Sequence, residues 1–407
     1  MTKQRYFFTV LILGSLTALG PFSIDMYLPG FPAIAKSLNT TTAQVSLSLS
    51  SFFIGISAGQ LLYGPLLDRF GRKRPLYAGL VLYIIASVGC FLAQDIETLI
   101  WVRFVQAIGS CAAGVASMTM VRDIFPLKDN AKIFALLILI LGASPMVAPT
   151  IGGYVTEAGN WHLIFIILGG MGLLILLAVI FFLPESYKAD PTYSLKPGPI
   201  INSFLMVIKN PQFYTYTFTG AFAFAGLFVY VAGSPLVFME VFKVNGKTYG
   251  WIFAGLSIGF VGSSQVNNIL LKKYKSEQII FCSLIIQSIT ATTFLIGSIY
   301  GWFGLGGTIF MIFILLCCIG IANPNASALS LAPFEKNAGT ASSLLGALQL
   351  GLGAVVSFAV SVFDSKSAVP MASIMAVSAC IAFTVLLLGR RLIKQPVSGG
   401  ATTVVGH

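Results

Sequence analysis

Residues 64–75 read GPLLDRFGRKRP. Apolar sequence runs up to this stretch and resumes just after it, so it is a short polar turn between two apolar runs. Arg69, Arg72, Lys73 and Arg74 crowd it with positive charge, beside a single acid, Asp68. Gly64 permits close approach of neighbouring helices. Gly71 can take a turn conformation closed to other residues. A loop that needed only positive charge would not require Gly and Asp at these spacings.

The apolar runs on either side belong to a series. They fall at roughly 7–29, 43–66, 75–93, 98–120, 131–155 and 161–183, then at 211–235, 248–270, 278–298, 305–331, 338–362 and 369–389. Each is long enough to cross a bilayer as a helix. The period-2 alternation of a barrel strand is absent, so helices must satisfy the backbone in lipid. Composition agrees: 9% of the 407 residues are charged and 57% hydrophobic, with a mean hydropathy of +0.90. A soluble globule carries about 25% charged residues. The chain is read as an all-α integral membrane protein of twelve spans. Lys3 and Arg5 before the first run imitate a signal peptide. That run carries Pro21, Asp25 and Pro29 and lacks a small-x-small site, so it is taken as the first span.

Basic residues set the orientation. Of 24 Lys and Arg, Arg103 lies within a span. Lys36, Lys243, Lys247 and Lys366 fall on one side, and the remaining nineteen on the side of the amino terminus. This bias predicts both termini in the cytoplasm. The net charge of +11 then reflects topology and anionic lipid heads; no soluble basic domain exists to bind nucleic acid.

PESYKADPTYSLKPGP, residues 184–199, is polar and holds four prolines. It opens a cytoplasmic linker, 184–210, between six-span halves at 1–183 and 211–390, with a cytoplasmic tail at 391–407. IINSFLMVIKN, 200–210, is expected to form a short amphipathic helix on the inner surface. LLDRFGRK after the second span and LLKKYKSE after the eighth occupy equivalent places. Parallel repeats of this kind are a known transporter layout.

Several chemistries are excluded. His162 and His407 stand alone, so no metal site has His spacing. The six cysteines all fall within spans and show no CxxC. No phosphate cradle is present. Neither a cofactor nor enzymatic catalysis is expected.

The loop at 64–75 resembles the G-xxx-D-[RK]-x-G-R-[RK] signature of the major facilitator superfamily, matching at Gly64, Asp68, Arg69, Gly71, Arg72 and Lys73. The resemblance implies a conformational gate, with Asp68 facing the start of the eleventh span near Asn337 and Gly339. It also implies a pair between an Arg of the motif and the acid ending the fourth span, here Arg72 and Asp123. RFVQAIGSCAA, 103–113, is similar to the R-xx-Q-G-x-G-x-x-A motif of the twelve-span drug/proton antiporters, with Ala107 in place of a Gly. SPMVAPTIGG, 144–153, is similar to their G-xxx-G-P-xx-G-G kink. Pro149, Gly152 and Gly153 match, whereas Ser144 and Ala148 replace glycines with other small residues. Finally, LGPFSIDMYLPGFPAI at 19–34, FAFAGLFVYVAGSPLVF at 222–238 and NAGTASSLLGALQLGLGAVV at 337–356 resemble the Bcr/CflA subfamily of bicyclomycin and chloramphenicol resistance transporters.

A carboxylate at membrane depth is a functional candidate by default. Asp25 lies four positions, about 6 Å, before Pro29, and Arg103 about five positions, roughly 8 Å, into an antiparallel span. Both therefore sit at similar depth, outward of the midplane. Pro29 cannot donate to the Asp25 carbonyl, nor Pro21 to that of Thr17. Burial favours a neutral carboxyl and a nearby guanidinium a charged one, so a group balanced between them can load and release a proton. Two plainer readings stay open. Asp25 is alternatively a polar helix end near outer water. Arg103 alternatively snorkels to the interface or braces backbone carbonyls. Cavity candidates are Tyr27, Gln106, Tyr216, Tyr230, Asn323 and Gln349; part of this polar set is expected simply to bond between helices.

The expectation is a monomeric, proton-coupled exporter of drug-like small molecules in a bacterial inner membrane. Its rival is a proton-coupled carrier of a metabolite (an amino acid, peptide, siderophore or sugar-like compound) on the same fold.

Overall fold

The computed structural model describes residues 3–187, 189–190, 197–334, 338–363 and 367–393. Its described residues form helices and no strand. The first span is α1, Lys3–Asp25, broken by a turn and a short 3-10 segment at Leu28–Gly30, and continued by α2, Phe31–Ser37. There follow α3 (Thr42–Phe70), α4 (Lys73–Leu92), α5 (Ile96–Ile124), α6 (Leu127–Ala158) and α7 (His162–Phe182). The linker contributes α8, Pro197–Ile208, the helix expected for that stretch. Beyond it lie α9 (Pro211–Ser234), a π-helical turn at Pro235–Val241, α10 (Gly246–Leu270), α11 (Ser276–Ile299), α12 (Leu305–Leu331), α13 (Ala338–Val362) and α14 (Val369–Gly389).

Local sequence explains the boundaries. Thr41 accepts from the Gln44 N–H at 3.2 Å to start α3, and Asp95 from the Thr98 N–H at 2.7 Å to start α5. Such caps satisfy helix donors that have no partner within the helix. Asn210 and Asn245 do the same for α9 and α10. At the other end of α3, Gly71 takes φ +82°, a left-handed value that favours glycine, and the chain turns into α4.

Among the described residues, eleven helical stretches are long and apolar enough to cross a membrane. The helix α10 is 25 residues long but carries Ser263, Ser264, Gln265, Asn267 and Asn268 in its later turns. Asn267 is buried and accepts from Asn325 of α12 at 2.7 Å, so its polarity is absorbed between helices and not shown to lipid.

Packing divides the chain into two compact units. The first comprises Met1–Lys196 with Val231–Ser257 and Ser357–Lys366. In it α5 packs against α3, α4 and α1, and α1 also against α6 and α7. The segments around α9's end and α10's start join it through several contacts. Thr42 donates to Glu240, Ser46 to the Ala232 carbonyl at 3.3 Å, and Lys247 pairs with Glu157 at 3.0 Å. The second unit comprises Pro197–Tyr230, Ile258–Val356 and Ser367–His407. Its core gathers Tyr216 and Ala223 of α9, Ile280 and Leu284 of α11, Ala322 and Leu329 of α12, and Leu386 of α14. Val207 of α8 packs with Phe213, Ala341 and Leu345 in a smaller cluster.

Candidate functional site

Asp25 is the last residue of α1. The helix stops there because Pro29, four residues on, has no N–H for the Asp25 carbonyl. The chain turns through Met26 and Tyr27 before re-entering a helix. The carboxyl group is held inside the first unit, at 5% exposure, and makes no hydrogen bond or ion pair with any described residue. Tyr249 of α10 lies within its electrostatic reach. That tyrosine is fully buried, and its hydroxyl bonds the Ser234 hydroxyl at 2.8 Å. Ser234 immediately precedes the π-helical turn.

Arg103, on α5, is fully buried, so it does not snorkel. Its Nη1 donates to Gln106 Oε1 at 2.7 Å and its Nη2 to the Ser23 carbonyl of α1 at 3.0 Å. The guanidinium carbon lies 4.2 Å from the centre of the Phe52 ring and 4.7 Å from that of Tyr27. Aromatic faces attract a cation electrostatically, which partly replaces the water that Arg103 lacks. No ion pair joins Arg103 to Asp25. In this state the arginine holds the backbone two residues before the acid. Gln106 passes the chain of bonds on, from its Nε2 to Ser87 Oγ at 2.8 Å, and the Ser87 hydroxyl donates to the Tyr83 carbonyl at 2.7 Å. Tyr83 Oη meets Ser23 Oγ at 2.7 Å, and Tyr27 Oη meets Ser48 Oγ at 2.9 Å. The bonds through Arg103, Gln106, Ser87, Tyr83 and Ser23 close a polar ring across α1, α4 and α5, with the Tyr27–Ser48 pair of α3 beside it. Gly109 lets this ring form: a Cβ there would stand 2.6 Å from the Tyr83 nitrogen, so α4 and α5 could not cross so closely.

The kink sequence of α6 packs beside the acid. Pro145 and Pro149 lie inside the helix, Ser144 donates to the Ile140 carbonyl at 2.8 Å, and Ala148 is fully buried. A Cβ on Gly152 would collide with the Met26 carbonyl, one residue beyond Asp25. On Gly153 it would stand 2.5 Å from the Gly246 carbonyl, at the start of α10. In return, Gly250 of α10 lies on Pro149 and Thr150. One small-residue segment therefore touches both the break in α1 and the first turns of α10.

The polar turn between α3 and α4 forms a second constellation. Arg72 is buried; its Nε donates to Asp123 Oδ2 and its Nη1 to Asp68 Oδ1, each at 2.7 Å. Burial works to lower the arginine's pKa, but the bonds and charges of Asp123 and Asp68 outweigh it and hold the value above the ordinary one. The linker folds back onto this turn. Glu185 accepts from the Arg72 N–H at 2.9 Å and the Lys73 N–H at 3.2 Å, capping α4. The Tyr187 ring stacks on the Arg72 guanidinium at 4.1 Å, and Ser186 donates to Asp123 at 3.1 Å. Gly64 sits near the end of α3 and Arg69 in its last turn. Asn337, named above as a partner for Asp68, lies outside the described residues.

Of the remaining cavity candidates, Tyr216 lies in the packed core of the second unit and Tyr230 is buried on the same helix. Gln349 donates to Asn323 at 3.0 Å. Glu185, Tyr83, Ser23, Phe52, Tyr249 and Ser234 were not singled out in the sequence. Ser23, Ser234 and Glu185 lie within stretches quoted above but were given no role there.

Residues 13–358 match the model of the Major Facilitator Superfamily. The chain is a member of that superfamily. Within it, the transporter is 33% identical over 376 residues to an uncharacterized MFS-type transporter, YdgK, of Bacillus subtilis, covering 91% of this chain and 92% of the other. It is 31% identical to a bicyclomycin resistance protein homolog of Haemophilus influenzae, over 95% of this chain and 96% of that one. A chloramphenicol resistance protein of Pseudomonas aeruginosa is 28% identical over 95% and 90%. These relatives place the transporter in the Bcr/CflA subfamily. The fold matches a bacterial Spinster homologue with a TM-score of 0.75 at 16% identity, over 96% of this chain and 98% of that one. It matches a D-xylose-proton symporter with 0.71 at 14% identity, over 97% and 99%. The transporter thus has the superfamily's twelve-helix fold, and a small-molecule substrate and a lipid bilayer are its partners.

Proposed function

We propose that the transporter exports drug-like small molecules across a bacterial inner membrane in exchange for protons. The halves 1–183 and 211–390 would move as the two bodies of an alternating-access cycle, with both termini in the cytoplasm and the protein acting as a monomer. The observation that carries the reading is the placement of Asp25. It is a buried acid without a bonding partner, at a helix break, under the kink sequence of α6. Such a group changes charge only when the protein admits water or a proton to it. Substrate entering from inside would compete with the proton on Asp25, and reprotonation from outside would reset the carrier. Arg103 would set the poise of the site by holding the α1 backbone. Tyr27, Gln106, Tyr216, Tyr230, Asn323 and Gln349 are offered as the polar and aromatic contacts of the path. The turn around Asp68, Arg72 and Asp123, with Gly64, Arg69 and Gly71, would be its inner gate. The names of the relatives support a drug as cargo.

One proton crossing about 150 mV releases roughly 3.5 kcal/mol, enough for a few-hundredfold gradient of a neutral substrate. The test is proton release from purified protein in weak buffer on adding a candidate drug. Wild type should release protons and Asp25→Asn none, while the variant still folds. Proteoliposomes with an imposed pH gradient should accumulate drug only with wild type. Equal release from both proteins would move the proton to another carrier, and accumulation of a metabolite but no drug would transfer the assignment to that cargo.

A further inference from the structure

An apolar crevice opens on the second unit, where α10, α11 and α12 meet. It encloses about 250 Å³ and is lined by Leu270, Ile279, Cys282, Ile286, Cys318 and Ile321, with Tyr274 and Gln278 at one end. Two of its polar groups are already engaged. Ser283 donates to the Cys318 carbonyl at 2.8 Å, and Gln278 Oε1 accepts from the Lys275 N–H at 3.2 Å. Apart from Ser283, and Tyr274 and Gln278 at one end, the wall is apolar, and unmet polar groups are what penalise hydrocarbon. Cys282 and Ile286 are exposed on the outer face of α11.

The mouth has the opposite chemistry. The turn from α10 to α11 reads KKYKSE, residues 272–277. Lys272, Lys273 and Lys275 are exposed, and Lys273 Nζ stands 5.5 Å from the ring of Tyr274, itself part of the crevice wall. The α11 helix begins at Ser276, so the positive end of its dipole lies at the same place. Three cations against one acid, Glu277 in the first turn of α11, leave a net positive mouth above a dry crevice, which fits a molecule with an anionic head and a hydrocarbon tail. Basic pockets between membrane helices are built to hold such lipids.

We infer that this crevice is a binding site for an anionic phospholipid, one acyl chain lying against Cys282 and Ile286 and the phosphate held by Lys272, Lys273 and Lys275. The site depends on neither export nor proton coupling. It is tested by native mass spectrometry of the full-length protein titrated with phosphatidylglycerol and, separately, phosphatidylcholine. Wild type should retain phosphatidylglycerol preferentially. The triple variant Lys272→Gln, Lys273→Gln, Lys275→Gln should lose roughly ten- to a hundredfold in its affinity. Cys282→Phe, which fills the crevice from an exposed position and leaves every lysine in place, should also release the lipid. The pair Lys209→Gln, Arg391→Gln, basic residues elsewhere on the chain, should bind as wild type. Undiminished binding to either the triple variant or Cys282→Phe overturns the site. An equal loss in the control pair does so too, because the attraction would then be one of surface charge at large.

Discussion

Gly152 of α6 rests on the carbonyl of Met26, the residue that follows Asp25. The small residues of this segment therefore serve packing. They let α6 lie against the break in α1 on one side and against α10 on the other, so a shift in α6 is felt at the acid directly.

Gly152→Ala should consequently disturb the site out of proportion to its size. The added methyl would overlap backbone, which yields less readily than a side chain, and overpacking of this kind costs about 1–3 kcal/mol. Gly114→Ala is the control, because a Cβ there meets nothing within 4 Å. The expected result is a lower melting temperature and lost uphill transport for Gly152→Ala, and neither for Gly114→Ala. Equal behaviour of the two would show that α6 has room to spare.

The two acids on Arg72 are not equivalent. Asp68 is 41% exposed and Asp123 16% in their side chains. An exposed pair is worth about 0–1 kcal/mol, and the less exposed one more. Asp123→Asn should thus destabilise the purified protein more than Asp68→Asn. Glu185→Gln, weakening the cap of α4, should cost about 0.5–2 kcal/mol. Chemical denaturation ranks the three. Should Asp68→Asn prove the most damaging to the fold, the clamp is organised around a contact other than Arg72.

Arg103→Lys keeps the charge but loses the planar fork that reaches Gln106 and Ser23 together. Each hydrogen bond to a charged group is worth about 1.5–3 kcal/mol, so Lys should be the milder change and Ala the severe one. If Arg103 poises Asp25 through the α1 backbone, Arg103→Lys should also shift the pH at which substrate is released. A fall in stability with an unmoved pH profile would leave the arginine a brace alone.

Much of this was legible in the sequence because charge is costly at depth. Asp25 and Arg103 announced themselves as charges within apolar runs, whereas the pairing of Arg72 with Asp123 was implied by the resemblance of the loop signature. The matching depths of Asp25 and Arg103 left open whether their helices adjoin, and α1 and α5 do pack together. Depth does not fix which way a side chain turns around its helix, and Arg103 turns to the Ser23 carbonyl. Uncharged partners gave no warning. Tyr83, Phe52 and Tyr249 look like any other aromatic residues in a span, and their partners come from remote parts of the chain. The return of Glu185 onto α4 depends on how the linker folds back, which no spacing encodes. The polar later turns of α10 read as a weaker span until Asn267 is seen paired with Asn325.

Tyr249 offers the sharpest test of what surrounds the acid. Its ring packs near Phe238 and Phe253, and its hydroxyl is bonded to Ser234 within reach of Asp25. Tyr249→Phe keeps the ring and removes the hydroxyl. If that hydroxyl helps set the charge state of Asp25, transport should persist while its pH dependence moves. Ser234→Ala, which frees the tyrosine hydroxyl from its bond, should move it as well. Tyr249→Ala would confuse the issue, because loss of a buried aromatic side chain costs about 3–5 kcal/mol in packing alone. Drug-induced proton release measured across pH is the readout, since a purely structural tyrosine would change the amount of active protein and leave the midpoint where it was. A midpoint that stays at the wild-type pH in both Tyr249→Phe and Ser234→Ala would reduce the pair to packing, and leave Asp25 to be set by Arg103 and the α1 backbone.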